Sequence, residues 1–468
     1  MLPRNLSLWI SCTLFLMGAS SLGAEEPLSW RAAAGSVVIT PEKPMWMAGY
    51  AARTGPSEGT EQDLFAKVLI LQDEQENQAV IVTLDLIGIP EGFRDDVVDR
   101  CRDKFVLAPD SILLNASHTH CGPELRVSKI VHYGIDSAWE AVSIEYGRHL
   151  TQKIVDLIGT TLENLEPARL EYSHGRAGFA MNRRLPTKNG VTNSPYPDGP
   201  VDHDVPVLKV LTADNRLHAV LFGYACHNTT LSFNKFCGDY AGYAQEYLEA
   251  AHPGTTCLFM AGCGGDQNPY PRRTLDLAKQ HGRALANAVE TALEALQPQP
   301  IHGPLRVAFT HALLEFQEPT LEEIQRQAAS GNKYEQQHGR VLLAEHEKNG
   351  KIRTEYPYPF QVLQFGTDLT LLAISGEVVV DYSLRLKQEL TEGTDHPPRV
   401  WVAGYSNYVF GYLPSQRVLE EGGYEGGGAM MYTSFPGPFA PSVEDRVITT
   451  MRNLVDQTTP AVPPTPSQ

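Results

Sequence analysis

Residues 111–123 read S-I-L-L-N-A-S-H-T-H-C-G-P, an apolar run that ends abruptly in two histidines and a Gly-Pro turn. Side chains on a strand alternate between its faces, so His118 and His120 share one face if the strand carries on through Asn115. A rigid strand that empties into a turn presents its last side chains to a cleft. The fold must therefore bury this strand along its length and leave its end open. On these residues alone, the histidines read either as metal ligands or as hydrogen-bonded polar groups of a core.

The rest of the chain supplies partners for such a strand. Residues 30–40 hold a short apolar run, and M-W-M-A-G-Y-A-A-R-T-G at 45–55 reads as a close-packed loop. Residues 66–71 and 79–87 are β-rich and flank the polar stretch 73–78, which predicts a hairpin. The period of 93–105 is helical, and 139–162 carries Val142, Tyr146, Leu150, Ile154, Leu157, Ile158 and Leu162 on one helical stripe. A strand over 168–173 precedes a segment, 178–200, that reads as loop. Residues 205–212 and 218–225 form a second strand pair about Asp214-Asn215, and the latter ends in Y-A-C-H-N with His227.

Asp239 is placed to cap a helix over 240–251, and 256–261 is a short buried strand that empties into G-C-G-G-D-Q-N-P. A packing helix is expected over 274–296, and a charged helical hairpin with a solvated face over 320–348, broken near Gly331. Residues 360–365 and 369–374 make a further strand pair, closed by Ser375-Gly376-Glu377 and a helix. After a strand at 400–403 come G-Y-S-N-Y-V-F-G-Y and the glycine tract at Gly422, read as a flexible turn. Hairpins interleaved with helices indicate a mixed α/β domain, and the absence of a repeat or internal linker favours one large domain.

A hydrophobic fraction of 42% excludes disorder over most of the length, and a net charge of −17 with no basic run excludes a nucleic-acid role. Residues 1–24 have the form of a secretory signal: Arg4, an apolar core from Leu6 to Met17, and Leu22-Gly23-Ala24 before Glu25. That implies export to the periplasm or the extracellular space. Beyond it no stretch reaches about 18 uninterrupted apolar residues, so no transmembrane segment is expected in the mature chain. Cys12 leaves with the signal, and the other six cysteines permit disulfides, with Cys257/Cys263 and Cys226/Cys237 the nearest pairs. None has C-x-x-C spacing, so a cysteine-rich zinc site is not expected. The domain is taken as 25–455, followed by a disordered Pro/Thr tail over 456–468. The acceptor sequences at Asn115 and Asn228 abut the histidines and are read as structural.

His118, His227 and Glu377 each stand where a strand ends, and oxygen and nitrogen ligands from distant segments can hold a hydrolytic zinc. No short motif fixes their geometry, and there is no G-x-S-x-G elbow, Walker loop or dinucleotide fingerprint. From M-A-G-Y-A-A-R-T-G through N-A-S-H-T-H-C-G-P, Y-A-C-H-N, Gly376-Glu377 and Asn407 to Tyr412 and Tyr424, the chain resembles the catalytic domain of the neutral/alkaline ceramidase family. The resemblance implies two packed, largely antiparallel β-sheets flanked by helices, in α/β/β/α layers. It implies zinc held by His118, His227, Glu377 and Tyr412, proton transfer by His120, and hydrogen bonds to an oxyanion from Tyr424 and Arg183. Asn182 and Asp266 are expected at the substrate. The implied reaction is cleavage of an amide bond in an N-acylated lipid or lipid-like substrate by zinc-activated water, with no more than transient contact at a membrane surface.

Two departures qualify that expectation. Asn268 stands where the family's G-D-x-S-P-N motif has a serine proposed as catalytic, so an amide replaces a nucleophile and can at most orient substrate. The chain also ends without the C-terminal β-sandwich of the family's long members. A zinc hydrolase of another ester or amide, and a zinc-containing binding protein that has lost turnover, are the alternatives. Cys121 replaces the serine usual after H-T-H and reads as a buried or disulfide-bonded thiol before it reads as a nucleophile.

Overall fold

The computed structural model describes residues 28–393 and 399–459. The expected signal at 1–24 and the tail from 460 onward lie outside them. In chain order the first third consists of β1 (Trp30–Val38), β2 (Phe65–Asp73), β3 (Gln78–Leu84), α1 (Phe93–Phe105), β4 (Ile112–Ala116), α2 (Val127–His132) and α3 (Ala138–Leu162). Next come β5 (Glu166–Arg176), β6 (Ala180–Thr187), β7 (Gly190–Tyr196), β8 (Asp204–Thr212), β9 (Leu217–Tyr224), α4 (Asp239–Ala251), β10 (Thr256–Ala261), β11 (Gln267–Pro269) and α5 (Leu275–Leu293). The last part holds β12 (Gln299–Ile301), β13 (Leu305–Glu315), α6 (Leu321–Ala328), α7 (Lys333–Asn349), β14 (Glu355–Phe365), β15 (Leu369–Ile374) and β16 (Glu377–Val378). It closes with α8 (Val380–Glu389), β17 (Arg399–Ala403), β18 (Tyr412–Leu413), α9 (Gln416–Glu421), α10 (Gly423–Gly426) and α11 (Val443–Thr458).

The larger sheet has the order β10-β9-β8-β5-β1-β2-β3-β4, with β12 added beside β5, and the second runs β13-β14-β15-β17. Most neighbours are antiparallel. The parallel pairs β3/β4, β9/β10 and β15/β17 are each bridged by a helix, respectively α1, α4 and α8, because parallel strands need a long crossover.

Alternation along each strand sorts its side chains into layers. On β2, Leu69 and Leu71 point to the space between the sheets, where Trp30, Leu113 and Met260 meet Leu363, Phe365, Leu371 and Trp401. Val68 and Ile70 point the other way and pack with Val97 of α1 and Leu150, Ile154 and Ile158 of α3. The other end of that outer face is covered by Tyr240 and Leu248 of α4 and Leu285 and Val289 of α5. On the second sheet, Tyr358, Phe360 and Leu372 meet Leu386 of α8 and Met451 and Leu454 of α11. The layers are helix, sheet, sheet, helix, as the resemblance implies. Strands covered on both faces read as unbroken apolar runs, which is why β3 and β4 lack polar alternation.

Several local expectations differ from the structure. Residues 178–200 form the hairpin β6/β7, and β6 also pairs with β11. Asn182, Arg183 and Arg184 are buried there in place of apolar residues, so the usual periodicity is missing. Gly238, not Asp239, caps α4, and the Asp239 carboxylate accepts from the amides of Leu231 and Tyr240 at 2.8 and 2.6 Å. The glycine tract contains α10, anchored by the buried Glu425. All six cysteines of the described chain are buried free thiols, so neither nearest pair is bonded. The hairpin α6/α7 has a Thr320/Glu323 capping box and a small core of Ile324, Leu342 and Ile352, and it is not wholly solvated: His338 is bonded to the Phe435 carbonyl at 2.7 Å. The last helix continues to Thr458, past the residue 456 at which the tail is expected to start. Asn115 and Asn228 are fully buried and hydrogen-bonded, in keeping with a structural role.

Candidate metal centre

Strand β4 delivers its histidines through a turn. Regular pairing ends at Ala116, and His118 takes a left-handed φ of 60°, uncommon for a residue with a side chain. The shared face anticipated from alternation is thus reached by a bend in the backbone. Asn115 holds the strand end: its Nδ2 donates to the Gly404 carbonyl at 2.8 Å, and its Oδ1 accepts from the Ala261 amide at 2.8 Å. The Nε2 atoms of His118 and His120 then lie 3.2 Å apart. Gly49, in the loop read as close-packed, explains the fit on the other side, since a Cβ there would stand 2.5 Å from the His120 ring.

His227 follows β9, its amide donating to the Gln267 carbonyl at 2.9 Å. Glu377 and Tyr412 arrive together because they face one another in the register of the two-stranded ladder β16/β18. Gly265 lies against that ladder, where a Cβ would meet the Glu377 carbonyl at 2.5 Å.

Hydrogen-bond accounting defines what this cluster lacks. His118 Nδ1 lies 2.6 Å from the Ile87 carbonyl, and His227 Nδ1 lies 2.6 Å from that of Gly264. A carbonyl only accepts, so each Nδ1 carries the hydrogen and each neutral ring turns the lone pair of Nε2 inward. Both Nε2 atoms lie 3.2 Å from Glu377 Oε2, and that buried oxygen has no hydrogen-bond partner. Tyr412 Oη is 3.3 Å from His227 Nε2. Three lone-pair donors therefore converge with no proton between them, an arrangement a cation would resolve. His118, His120 and His227 together offer nitrogens within 4.8 Å of one another, a buried triad that could hold a metal ion.

Electrostatics follow from the burial. Burial and the nearby Arg183 charge push His227 down to about 3, and burial with the neighbouring imidazoles of His118 and His227 lowers His120 well below its ordinary range. Burial alone would raise Glu377, yet the imidazoles of His118 and His227 hold it well below the usual carboxylate value. A carboxylate beside imidazole nitrogens is a donor set suited to a divalent transition metal.

Behind Tyr412 lies a buried polar chain. Arg183 donates from Nη2 to Tyr412 Oη at 2.9 Å, from Nη1 to Asn268 Oδ1 at 3.1 Å and from Nε to Glu425 Oε1 at 2.7 Å. Arg184 Nη1 donates to the other Glu425 oxygen at 2.7 Å. These bonds employ the Arg183 guanidinium on protein partners, so it supports Tyr412 from behind and does not line the cleft. Asn268 likewise sits behind Arg183, 1% exposed. Asn182 and Asp266 are fully buried and bonded to each other at 3.0 Å, and Asp266 also accepts from the Val380 amide at 2.9 Å. Contrary to expectation neither lines the cleft, and both serve as scaffold behind it. Cys121 is buried and burial drives its thiol well above the ordinary value, which removes it as a nucleophile.

The open side of the cluster is a cleft lined by His118, His120, Glu377, Tyr412 and Tyr424 together with Arg126, Lys129, Tyr133 and Tyr432. Tyr424 is 41% exposed at its mouth, its ring 5.3 Å from that of Tyr412. Sequence reasoning missed Tyr405, whose ring lies 4.5 Å from that of His118, and Glu425, the only charged residue of the glycine tract. It also missed Arg126 and Lys129, which follow the H-T-H stretch by a few residues.

Residues 34–264 match the family profile described as neutral/alkaline non-lysosomal ceramidase, N-terminal. Neutral ceramidase 1 of Arabidopsis thaliana is 23% identical over 287 residues, 58% of this chain, and the chain spans only 35% of that relative's length. The crystal structure of neutral ceramidase from Pseudomonas aeruginosa shares the fold with a TM-score of 0.72, covering 95% of this chain and 77% of that one at 18% identity. A structure described as ceramidase complexed with C2 gives the same TM-score over 94% of this chain and 78% of its own. The solved structures show the fold that the chain shares, and the profile match identifies residues 34–264 as belonging to the neutral/alkaline non-lysosomal ceramidase family.

Proposed function

We propose that the protein is a zinc-dependent amidohydrolase acting on an N-acylated lipid or lipid-like substrate. The observation that carries this reading is the unpartnered Glu377 Oε2 between the inward lone pairs of His118 and His227. These three residues and Tyr412 would hold the ion. Bound there, zinc supplies Lewis acidity toward the amide carbonyl and toward the attacking water.

The remaining work falls to the chain. His120 faces the cluster through Nε2, and its Nδ1 is buried without a partner. Kept neutral by burial, it can take the proton released as water adds to the carbonyl carbon. It then returns that proton to the amine nitrogen as the C–N bond breaks, leaving a carboxylic acid and an amine, between which the acid's proton passes to give carboxylate and ammonium at neutral pH. Tyr424, at the mouth beside Tyr412, is placed to donate to the carbonyl oxygen as negative charge develops. Arg183 acts by fixing the Tyr412 phenol.

A panel of N-acyl sphingosines, soluble N-acyl amines and acyl esters tests the reaction. The proposal expects hydrolysis of an amide that is lost by about 100-fold or more in His120→Ala, in line with removal of a general acid–base. A zinc-loaded protein equally inert before and after that change would instead favour the binding-protein reading, which Asn268 at the family's serine position recommends. No helix among the described residues is long and apolar enough to cross a membrane. We further propose export to the periplasm or extracellular space on the form of residues 1–24. Amino-terminal sequencing of the mature protein checks it, and an intact Met1 would contradict it.

A further inference from the structure

The cleft contains two cationic side chains to which the reaction above gives no part. Arg126 and Lys129 line the same space as His118, His120 and Glu377. They differ in how their charge is met. Arg126 is paired with Glu124, donating from Nε and Nη2 to its two oxygens at 2.7 Å each, and the Glu124 side chain is 1% exposed. Lys129 Nζ donates to the Tyr432 carbonyl and stands 5.9 Å from the centre of the Tyr133 ring. No carboxylate forms an ion pair with it among the described residues.

An ammonium withdrawn from water loses hydration that one carbonyl and one ring face offset only in part. Burial, then the Arg126 charge, pull Lys129 down to about 7. A methionine would fill the same volume without that cost, so packing does not account for the charge. The surroundings sharpen the point: the chain carries 55 acidic against 38 basic residues, yet the lining of this cleft holds Arg126 and Lys129 against the single carboxylate of Glu377. An acidic molecule that admits an anionic ligand needs such a local reversal of field.

We propose that Lys129, supported by Arg126, receives a negatively charged group of the substrate, so that the preferred N-acyl compound carries a carboxylate close to the scissile amide, as an N-acyl amino acid does. Tyr133 and Tyr432 flank the ammonium and provide apolar walls for the chain on either side of that carboxylate. The inference rests on the amidohydrolase reading for the identity of the bond cleaved, and on the Lys129 ammonium, which forms no ion pair among the described residues, for the charge.

N-palmitoylglycine and N-palmitoylethanolamine, which share an acyl chain and differ in carboxylate against hydroxyl, are the probes. Their equilibrium binding is measured on the wild-type protein, Lys129→Met and Lys129→Arg, and their turnover is followed separately. The expected result is a preference of about tenfold or more for the glycine conjugate, the size of a charge-assisted hydrogen bond, which collapses in Lys129→Met and persists in Lys129→Arg. Equal affinity for both probes in the wild type, or failure to bind either, overturns the inference, even if both are hydrolysed. A retained preference with no turnover of either probe removes the amidohydrolase reading for these compounds and leaves the anion site standing. A preference retained undiminished in folded Lys129→Met also overturns the inference, and the absence of a wild-type preference does so whether or not that variant folds.

Discussion

Glu425 shows how a single buried charge can organise a site from a distance. Its carboxylate takes one guanidinium from Arg183 and another from Arg184, and all three side chains are nearly sealed from solvent. Removing one partner of such a group strands the others, which typically costs about 3–5 kcal/mol. Glu425→Gln should therefore lower the free energy of unfolding by that amount, and a loss under 1 kcal/mol in equilibrium unfolding, the scale of an exposed pair, would contradict the burial. The pH dependence has a definite sign. Burial alone would raise this carboxyl, but the two arginines hold it below its ordinary 4.5. Its contribution is thus full above about pH 4.5 and is lost as pH falls through the lower folded value. Stability of the wild type should drop on that acid limb, and the drop should shrink in Glu425→Gln. The residues that touch the cluster were partly legible. His118, His227 and Glu377 stand at strand ends, where pattern points to them, whereas Tyr412 is named by the resemblance alone. Asn182 and Asp266 carry the same polar signature, and their burial one layer back is a property of packing that spacing does not encode.

Elements with strong periodicity were read nearly to the residue: α1 over 93–105, β10 over 256–261 and β15 over 369–374 coincide with their sequence patterns. The hairpin β6/β7 escaped because Asn182, Arg183 and Arg184 occupy its core positions. The one clear signal was Asn189-Gly190 at its turn, a dipeptide favoured in tight hairpins. The paired helices α6 and α7 escaped in another sense, for charge composition describes their outer face and not what they cover. Tyr334 donates to the Ala51 carbonyl at 2.7 Å and its ring lies 5.9 and 5.1 Å from those of Tyr133 and Tyr432, so the hairpin buttresses the cleft wall. Its own core is only Ile324, Leu342 and Ile352 with Leu343 packed against them. Leu342→Ala leaves a cavity worth about 2–5 kcal/mol, more than so small a cluster can absorb. Hydrogen exchange should accelerate over 321–349 and stay unchanged in β1–β5, which belong to a separate core. Faster exchange throughout the protein would show that the hairpin and the sheets unfold as one unit.

At the scale of the molecule, the two packed sheets bring segments from residue 118 to residue 412 to one point. β4 and β9 lie in the larger sheet, while Glu377 and Tyr412 lie just beyond β15 and β17 of the smaller one. The cluster thus sits beyond the C-terminal ends of strands from both sheets, and its assembly depends on the sandwich as a whole. The layered class was readable from hairpins and helices in alternation, but the strand order was not, because register between distant strands is set by the shared core. The proposed catalysis depends on a metal ion held at that cluster. Its most direct test is elemental analysis of purified wild type, His118→Ala and Glu377→Ala, with circular dichroism confirming that each is folded. Zinc in stoichiometric amount in the wild type, and its loss from both folded variants, is the predicted result. Zinc absent from the wild type, or retained unchanged by both variants, would contradict it.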